Sequence, residues 1–116
     1  MQLVKEQQKI SIDELKQMST NTFGTLVKAV VDVKQNIMMV DAELHADQEE
    51  ALLASGSEQE NVWGISLYPD KLPDEGWIEF DSMINLRPSQ ANRTRSVNDP
   101  HMQQKIRDLV AILVQI

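Results

Sequence analysis

The residues best suited to chemistry are concentrated in one basic stretch late in the chain. Arg87, Arg93 and Arg95 lie within nine residues that contain no acidic side chain, and Gln90 and Asn92 between them add further hydrogen-bond donors. A guanidinium group offers a planar fork that matches a carboxylate or a phosphate, and a helix that begins just after the stretch would add free N–H groups. The stretch predicts a binding site for a small anionic ligand. The alternative is that these arginines pair with the chain's own carboxylates.

A second group of polar residues alternates with apolar ones on two predicted strands. Asp41, Glu43 and His45 alternate on one strand, and Glu79 and Asp81 alternate on another. If the two strands were neighbours, the four carboxylates and the imidazole would share one surface of the sheet. Such a surface could hold Mg²⁺ or Mn²⁺ through oxygen ligands, or a general acid–base pair. The alternative is a solvated or salt-bridged strand face, which commonly shows the same alternation of acidic residues.

Trp77 shares the alternation of Glu79 and Asp81, which predicts a large ring on a polar face. An exposed aromatic ring of this kind suggests a pocket wall or a subunit contact. The candidate ligand-binding residues are therefore Arg87, Gln90, Asn92, Arg93, Arg95, Trp77, Glu79 and Asp81.

The motifs of several familiar enzyme classes are absent from the sequence. The chain has no cysteine and no second histidine at ligand spacing from His45, so we predict no zinc site, and we predict no cofactor. There is no Gly-x-Ser-x-Gly elbow for a serine nucleophile and no glycine-rich loop for phosphates. No residue is assigned as catalytic, and whether the protein is an enzyme stays open.

The composition limits the setting in which the protein works. The chain has 116 residues, which fits a single domain spanning 1–116, and its formal net charge is −7. An acidic chain is a poor nucleic-acid binder, because affinity for phosphates comes mainly from lysine and arginine. No apolar run approaches the ~18 residues of a membrane span, and the first eight residues lack the apolar segment of a signal peptide. We therefore expect a cytoplasmic protein that does not contact a membrane.

The elements that must position these side chains follow from hydrophobic periodicity and capping residues. Ser11 with Glu14 forms a capping box for a helix over 12–18, Asp47 is expected to cap a helix over 48–54, and Asp99 with Pro100 opens a last helix. β-Branched and alternating segments predict strands. The predicted strands are Leu3–Lys5, 26–33, Ile37–His45, Val62–Tyr68 and Trp77–Arg87. The order predicts an α+β fold, with a mixed or mainly antiparallel sheet of four to five strands and about three helices packed on one face.

The end of the last helix is unusually apolar. Seven of the eight residues from Leu109 to Ile116 are apolar, so this segment needs more than one surface to bury against. Either the terminus inserts into the core or it contacts another subunit. We predict a homo-oligomer that forms through this C-terminal helix.

Four segments resemble a family of small prokaryotic proteins of unknown function that includes integron gene-cassette proteins. They are Leu26–Asp32 (LVKAVVD), Val40–Asp47 (VDAELHAD), Trp63–Pro69 (WGISLYP) and Trp77–Arg95 (WIEFDSMINLRPSQANRTR). The resemblance covers nearly the whole chain and implies one whole-chain domain. It implies no activity.

Three functional hypotheses follow from the sequence. The preferred one is a non-enzymatic, homo-oligomeric binding module for a small anionic ligand or a protein partner. The first alternative is a metal-assisted hydrolase that uses the Asp/Glu/His polar sheet face. The second alternative is weak nucleic-acid binding through the Arg87–Arg95 segment, which the negative charge of the chain disfavours.

Overall fold

A five-stranded antiparallel sheet lies at the centre of the structure and three α-helices pack around it. The computed structural model describes all 116 residues. The strands are β1 Gln2–Val4, β2 Ile10–Ser11, β3 Val27–Asp32, β4 Ile37–Val40, β5 Val62–Leu67, β6 Ile78–Glu79 and β7 Val114–Gln115, and the helices are α1 Ile12–Asn21, α2 His45–Ala54 and α3 Pro100–Leu113. The sheet has the order β1-β4-β3-β5-β6, and β2 pairs with β7 in a separate parallel pair. The predicted α+β fold is confirmed.

The helices cover both faces of the sheet, which differs from the expectation that they pack on one face. Ala29 and Val31 of β3 belong to the large core cluster, together with residues of α1 and α3. Val30 between them points the other way and packs with Leu52 of α2 and Val62 of β5. Because α2 covers the second face, the open polar sheet face that the alternation predicted does not form.

Two helices begin where their capping residues predict. Ser11 Oγ accepts the Glu14 N–H at 3.1 Å at the start of α1, and Asp99 Oδ1 accepts the His101 N–H at 2.9 Å at the start of α3. Helix α2 begins three residues earlier than predicted, at His45, so Asp47 is not its cap. Leu44 occupies the N-cap position and provides no side-chain hydrogen bond. The N-terminus of α2 therefore keeps free backbone N–H groups.

The predicted strand Ile37–His45 is wrong in its second half. Strand β4 ends at Val40, because its pairing with β1 and β3 stops there and Asp41 takes a left-handed backbone conformation (φ 66°). The chain then turns into α2, so Asp41, Glu43 and His45 do not alternate along a strand. The predicted row of carboxylates and imidazole is absent for this reason.

The predicted strand Trp77–Arg87 is also mostly wrong. Only Ile78–Glu79 pairs with β5, and the chain then continues through short 3₁₀ turns at Met83–Asn85 and Pro88–Gln90. Phe80 packs against the large core cluster, whereas Ile84 packs against the small cluster on the opposite face. The segment therefore crosses from one face of the sheet to the other around the edge of β5, which a continued strand could not do.

Trp77 lies in the core and not on a polar face. It ends a 3₁₀ turn at Glu75–Trp77, and its side chain is buried in the large cluster. Its predicted alternation with Glu79 and Asp81 fails because the strand begins only after it. The ring is therefore mainly a core side chain, and its small exposed part borders a groove beside α3.

The apolar C-terminal segment is divided between core and surface. Val110, Leu113 and Val114 are buried, and β7 fixes the chain end beside Ile10–Ser11. Ile112 remains 48% exposed and Ile116 91% exposed. None of the three helices combines the length and apolar composition that crossing a membrane requires.

Candidate functional site

Arg87, the first arginine of the basic stretch, is buried and fully engaged within the protein. Its Nε donates to the Ile84 carbonyl at 3.0 Å, Nη1 donates to the Gln59 carbonyl at 2.6 Å, and Nη2 donates to the Val62 carbonyl. Nη2 also lies 3.8 Å from Glu49 Oε2 on α2. Burial lowers the pKa of Arg87, and the Glu49 carboxylate opposes that shift. Arg87 therefore holds the fold together, and its burial shields it from an external anion.

Two buried asparagines fix the path of the segment that follows β6. Asn85 Oδ1 accepts the Gly64 N–H at 2.9 Å, and its Nδ2 donates to the carbonyls of Gly64 and Arg95, both at 3.0 Å. Asn92 Nδ2 donates to the Asn85 carbonyl at 2.7 Å, and Asn92 Oδ1 accepts the Asn98 N–H at 2.8 Å. Like Arg87, Asn92 is used internally.

Along the outer edge of β5, side chains form the hydrogen bonds that the backbone of a neighbouring strand would otherwise form. Backbone groups of β5 that face this edge belong to every second residue. Glu79 of β6 pairs with Ser66, the Asn85 amide bonds both backbone groups of Gly64, and Arg87 bonds the Val62 carbonyl. Gly64 allows the close approach, because a Cβ there would lie 2.6 Å from Ser82 Cβ.

The remaining predicted site residues lie at the surface and do not form one site, although Gln90 lines a cleft together with Asn92. Gln90 Nε2 donates to the Glu60 carbonyl at 3.2 Å. Arg93 is exposed, and only its backbone N–H forms a hydrogen bond, with Asn98 Oδ1 at 3.1 Å. Glu79 accepts the Tyr68 hydroxyl at 3.3 Å. Burial, followed by the nearby Glu79 carboxylate, raises the pKa of Tyr68.

Arg95 differs from Arg87 and Arg93 because it borders a cleft. Its Nε donates to Asp81 Oδ1 at 2.7 Å in a half-exposed ion pair, which is the internal pairing that the sequence left as an alternative. The cleft has a volume of about 180 Å³ and lies between the start of α2 and the turn that follows β6. We call it the cationic cleft; its lining residues are Lys28, Leu44, His45, Ala46, Ser82, Met83, Ile84 and Arg95.

His45 lines the cationic cleft and also forms a hydrogen bond with the sheet. Its Nε2 lies 2.7 Å from the Ile65 carbonyl, which can only accept, so Nε2 carries the proton and donates. Burial lowers the pKa of His45, Lys28 and Arg95 lower it further, and the Ile65 hydrogen bond and Asp81 oppose the shift. The imidazole is therefore neutral near pH 7, and the charges of Lys28, Arg95 and Asp81 all act on it.

Lys28 places a second cation at the same cleft. It lies on the α2 side of β3, and its Nζ donates to the Glu43 carbonyl at 3.0 Å. That bond uses one of the three ammonium protons. The uncapped N-terminus of α2 adds N–H groups beside it. Lys28, Arg95 and the start of α2 thus present positive charge to one small volume.

The larger clefts lack such a convergence of charge. One of about 430 Å³ is lined by residues near the N-terminus, with Lys5 and Glu6 as its charged side chains. Another of about 450 Å³ lies against the start of α3 and carries the carboxylates of Glu60 and Asp99. The cationic cleft is therefore smaller than these two clefts but differs from them in having two cations and no carboxylate in its lining.

The chemistry of the two alternative functions does not assemble in the structure. No group of three or more His, Asp or Glu side chains is placed to hold a metal ion. Ser82 Oγ accepts the Ile84 N–H at 3.3 Å and makes no hydrogen bond with His45, so a nucleophile–base pair is not formed. Arg87, Arg93 and Arg95 point to three different environments, which leaves no continuous basic surface for a nucleic acid.

Sequence reasoning identified Arg95 and Asp81 but missed Lys28, and it assigned His45 to a different kind of site. Lys28 is the one charged side chain among the apolar residues of 26–31, and this isolated charge was the available signal. Its partners come from α2 and from the turn after β6, so its role depends on tertiary structure.

The fold and cleft define a small α+β protein with a candidate site for ligand binding. The chain matches the family described as "Protein of unknown function (DUF5674)" over residues 3–113, and it belongs to that family. Searches among curated proteins and among solved structures find no similar protein. The resemblance to an uncharacterised family is confirmed, and the prokaryotic and integron origin that it implied stays a prediction.

Proposed function

We propose that the protein is a binding module for a small anion, which occupies the cationic cleft. The observation that carries the proposal is the convergence of Lys28 and Arg95 on one cavity in a chain whose net charge is −7. Cations placed in an acidic protein attract an anion locally, because charges beyond a Debye length of about 8–10 Å are screened. The cytoplasmic location expected from the sequence is part of this proposal.

The neutral His45 supports binding rather than catalysis at this cleft. Its Nε2 proton is held by the Ile65 carbonyl, and this bond fixes the orientation of the ring. No serine or carboxylate forms a hydrogen bond with it, so no nucleophile–base pair is assembled within the protein. Because the imidazole is neutral and its orientation is fixed, it lines the cleft without compensating the positive charges of Lys28 and Arg95.

Thermal unfolding against a panel of anions tests the proposal. An anion present at ~100 times its dissociation constant should stabilise the protein by about 2.7 kcal/mol, which shifts the midpoint by several degrees, on the order of 10 °C. We expect Lys28→Met and Arg95→Met to lose this shift. Arg93→Met is the matched control, because Arg93 belongs to the same basic stretch but does not line the cleft; it should keep the shift.

Two outcomes would contradict the proposal. The first is an anion panel that leaves the wild-type midpoint unchanged. The second is a shift that Arg93→Met abolishes and Arg95→Met preserves, because that would place the anion elsewhere on the basic stretch. The Arg95→Met protein itself should fold, since an exposed ion pair contributes only about 0–1 kcal/mol.

A second proposal concerns self-association through the C-terminal segment. It is supported by the exposed apolar side chains of Ile112 and Ile116. Ile116 also lines a largely apolar groove of about 320 Å³, together with Leu72 and Trp77. Exposed apolar side chains next to an apolar groove are typical of a protein interface. We expect a dimer in light scattering at micromolar concentration and a monomer for the double variant Ile112→Ser, Ile116→Ser. A monomeric wild type would overturn this second proposal and leave the anion site untouched.

A further inference from the structure

Two large apolar side chains that line the cationic cleft are exposed. Leu44 is 56% exposed and Met83 is 63% exposed, and both line the cleft. Ala46 and Ile84 add further apolar lining. The cleft therefore combines a charged region with an apolar mouth, and an inorganic anion would leave the apolar part uncovered.

The charges that act at the cleft leave a single positive charge. Lys28 and Arg95 are cations, and the Asp81 carboxylate compensates one of them through its 2.7 Å hydrogen bond with Arg95. His45 contributes no charge, because burial lowers its pKa. A ligand with one negative charge matches this balance, whereas a dianion such as hydrogen phosphate would bring a second charge without a partner.

The volume of the cleft limits the size of what binds. About 180 Å³ is below the roughly 300–1,000 Å³ of sites that hold drug-sized ligands. A nucleotide is therefore too large to be enclosed. A carboxylate with a short apolar group fits the volume, the charge and the apolar mouth together.

Resting on the proposed anion site, we infer that the ligand is a carboxylate that carries a small apolar group. The carboxylate lies between Lys28 and Arg95, and the apolar group lies against Leu44 and Met83. Two sources supply this chemistry, namely a free short-chain organic acid and the C-terminal residue of a peptide. The experiment below separates them.

The test is a titration of ¹⁵N-labelled protein followed by amide chemical shifts at pH 7. The probes are hexanoate, acetate, hydrogen phosphate and hexanol, with an acetylated peptide that ends in leucine and the same peptide as its C-terminal amide. We expect hexanoate to bind about tenfold or more tightly than acetate, because each fully buried methylene adds roughly fourfold. The shifts should lie at the amides of His45, Ala46 and Met83. Hexanol and the amidated peptide should leave them unchanged.

Met83→Ser tests the apolar contact directly. We expect it to lower the affinity for hexanoate by about fivefold and to leave acetate within about twofold. Leu86→Ser is the matched control, because Leu86 is a partly exposed apolar residue nearby that does not line the cleft. It should bind hexanoate as the wild type does.

The possible outcomes separate this inference from the proposed function. Binding of hexanoate without the peptide identifies a free organic acid, binding of the free-acid peptide identifies a chain terminus, and both support the inference. Phosphate binding at the same amides as tightly as hexanoate, or acetate binding equally well, overturns the inference and leaves the anion site standing. No shift at these amides with any anion overturns both.

Discussion

Asn85→Ala lowers the free energy of unfolding by about 2–6 kcal/mol, because two buried backbone groups lose their partners at roughly 1–3 kcal/mol each. Those groups are the Gly64 N–H and the Gly64 carbonyl, which both bond to the Asn85 amide. The Arg95 carbonyl, which also accepts from Asn85, keeps the Ser82 N–H as a donor. Urea unfolding followed by tryptophan fluorescence measures the change. A loss of this size is a large part of the 5–15 kcal/mol that stabilises a typical domain.

The control for Asn85 is an exposed asparagine at a helix end. Asn21 lies at the last position of α1 and contacts only Gln17. We expect Asn21→Ala to change stability by no more than about 0.5 kcal/mol. If Asn85→Ala cost less than about 1 kcal/mol, the edge of β5 would be satisfied in some other way and the described role of Asn85 would be wrong.

Arg87→Met is expected to lower the free energy of unfolding by about 3–5 kcal/mol at neutral pH, as removal of one partner of a buried ion pair typically does. The change leaves the carbonyls of Ile84 and Val62 without donors and leaves Glu49 Oε2 beside an apolar side chain. The Gln59 carbonyl keeps the Val62 N–H as a donor. The measurement is urea unfolding at several pH values. Arg93→Met is the control in the same stretch, and we expect its effect to stay within about 0.5 kcal/mol.

The effect of Arg87→Met on the free energy of unfolding should depend on pH, because the change leaves the Glu49 carboxylate without its cation. Burial raises the pKa of Glu49, and Arg87 is the group that opposes the rise. Without Arg87, the pKa of Glu49 is higher in the folded state than in the unfolded state. The variant is therefore stable with respect to this group when the pH lies below the pKa of Glu49 in the unfolded state, and it loses stability as the pH rises through the pKa of Glu49 in the folded state. The penalty of Arg87→Met should therefore be smaller near pH 4 than near pH 7. An equal penalty at both pH values would show that Glu49 is not involved.

Local signals in the sequence were sufficient for the elements whose partners lie nearby. The β-branched run predicted β3, and Ser11 and Asp99 located the starts of α1 and α3, because each signal acts within a few residues. The resulting α+β fold followed from the order of the elements. The anionic-ligand hypothesis also drew attention to Arg95, which borders the cleft.

The errors occur where distant partners decide the backbone. Ile78, Phe80 and Ile84 alternate as a strand does, yet they are buried by two different clusters on opposite faces of the sheet. The alternation of apolar residues predicts that a side chain is buried, but it does not predict which face of the sheet buries it. Likewise nothing local distinguishes Arg87 from Arg95, although one bonds three backbone carbonyls and the other reaches a cleft.

The way in which the edge of β5 is completed has a consequence for the behaviour of the protein at high concentration. All six residues of β5 are buried, so a bare edge here would be an apolar template for another chain, of the kind that starts aggregation. A strand would only move the open edge outward by one position. The amide of Asn85 and the guanidinium of Arg87 satisfy that edge and offer no further ladder to an incoming chain. The side chains of Asn85 and Arg87, which stabilise the fold, are therefore also expected to prevent aggregation through strand pairing at the edge of β5.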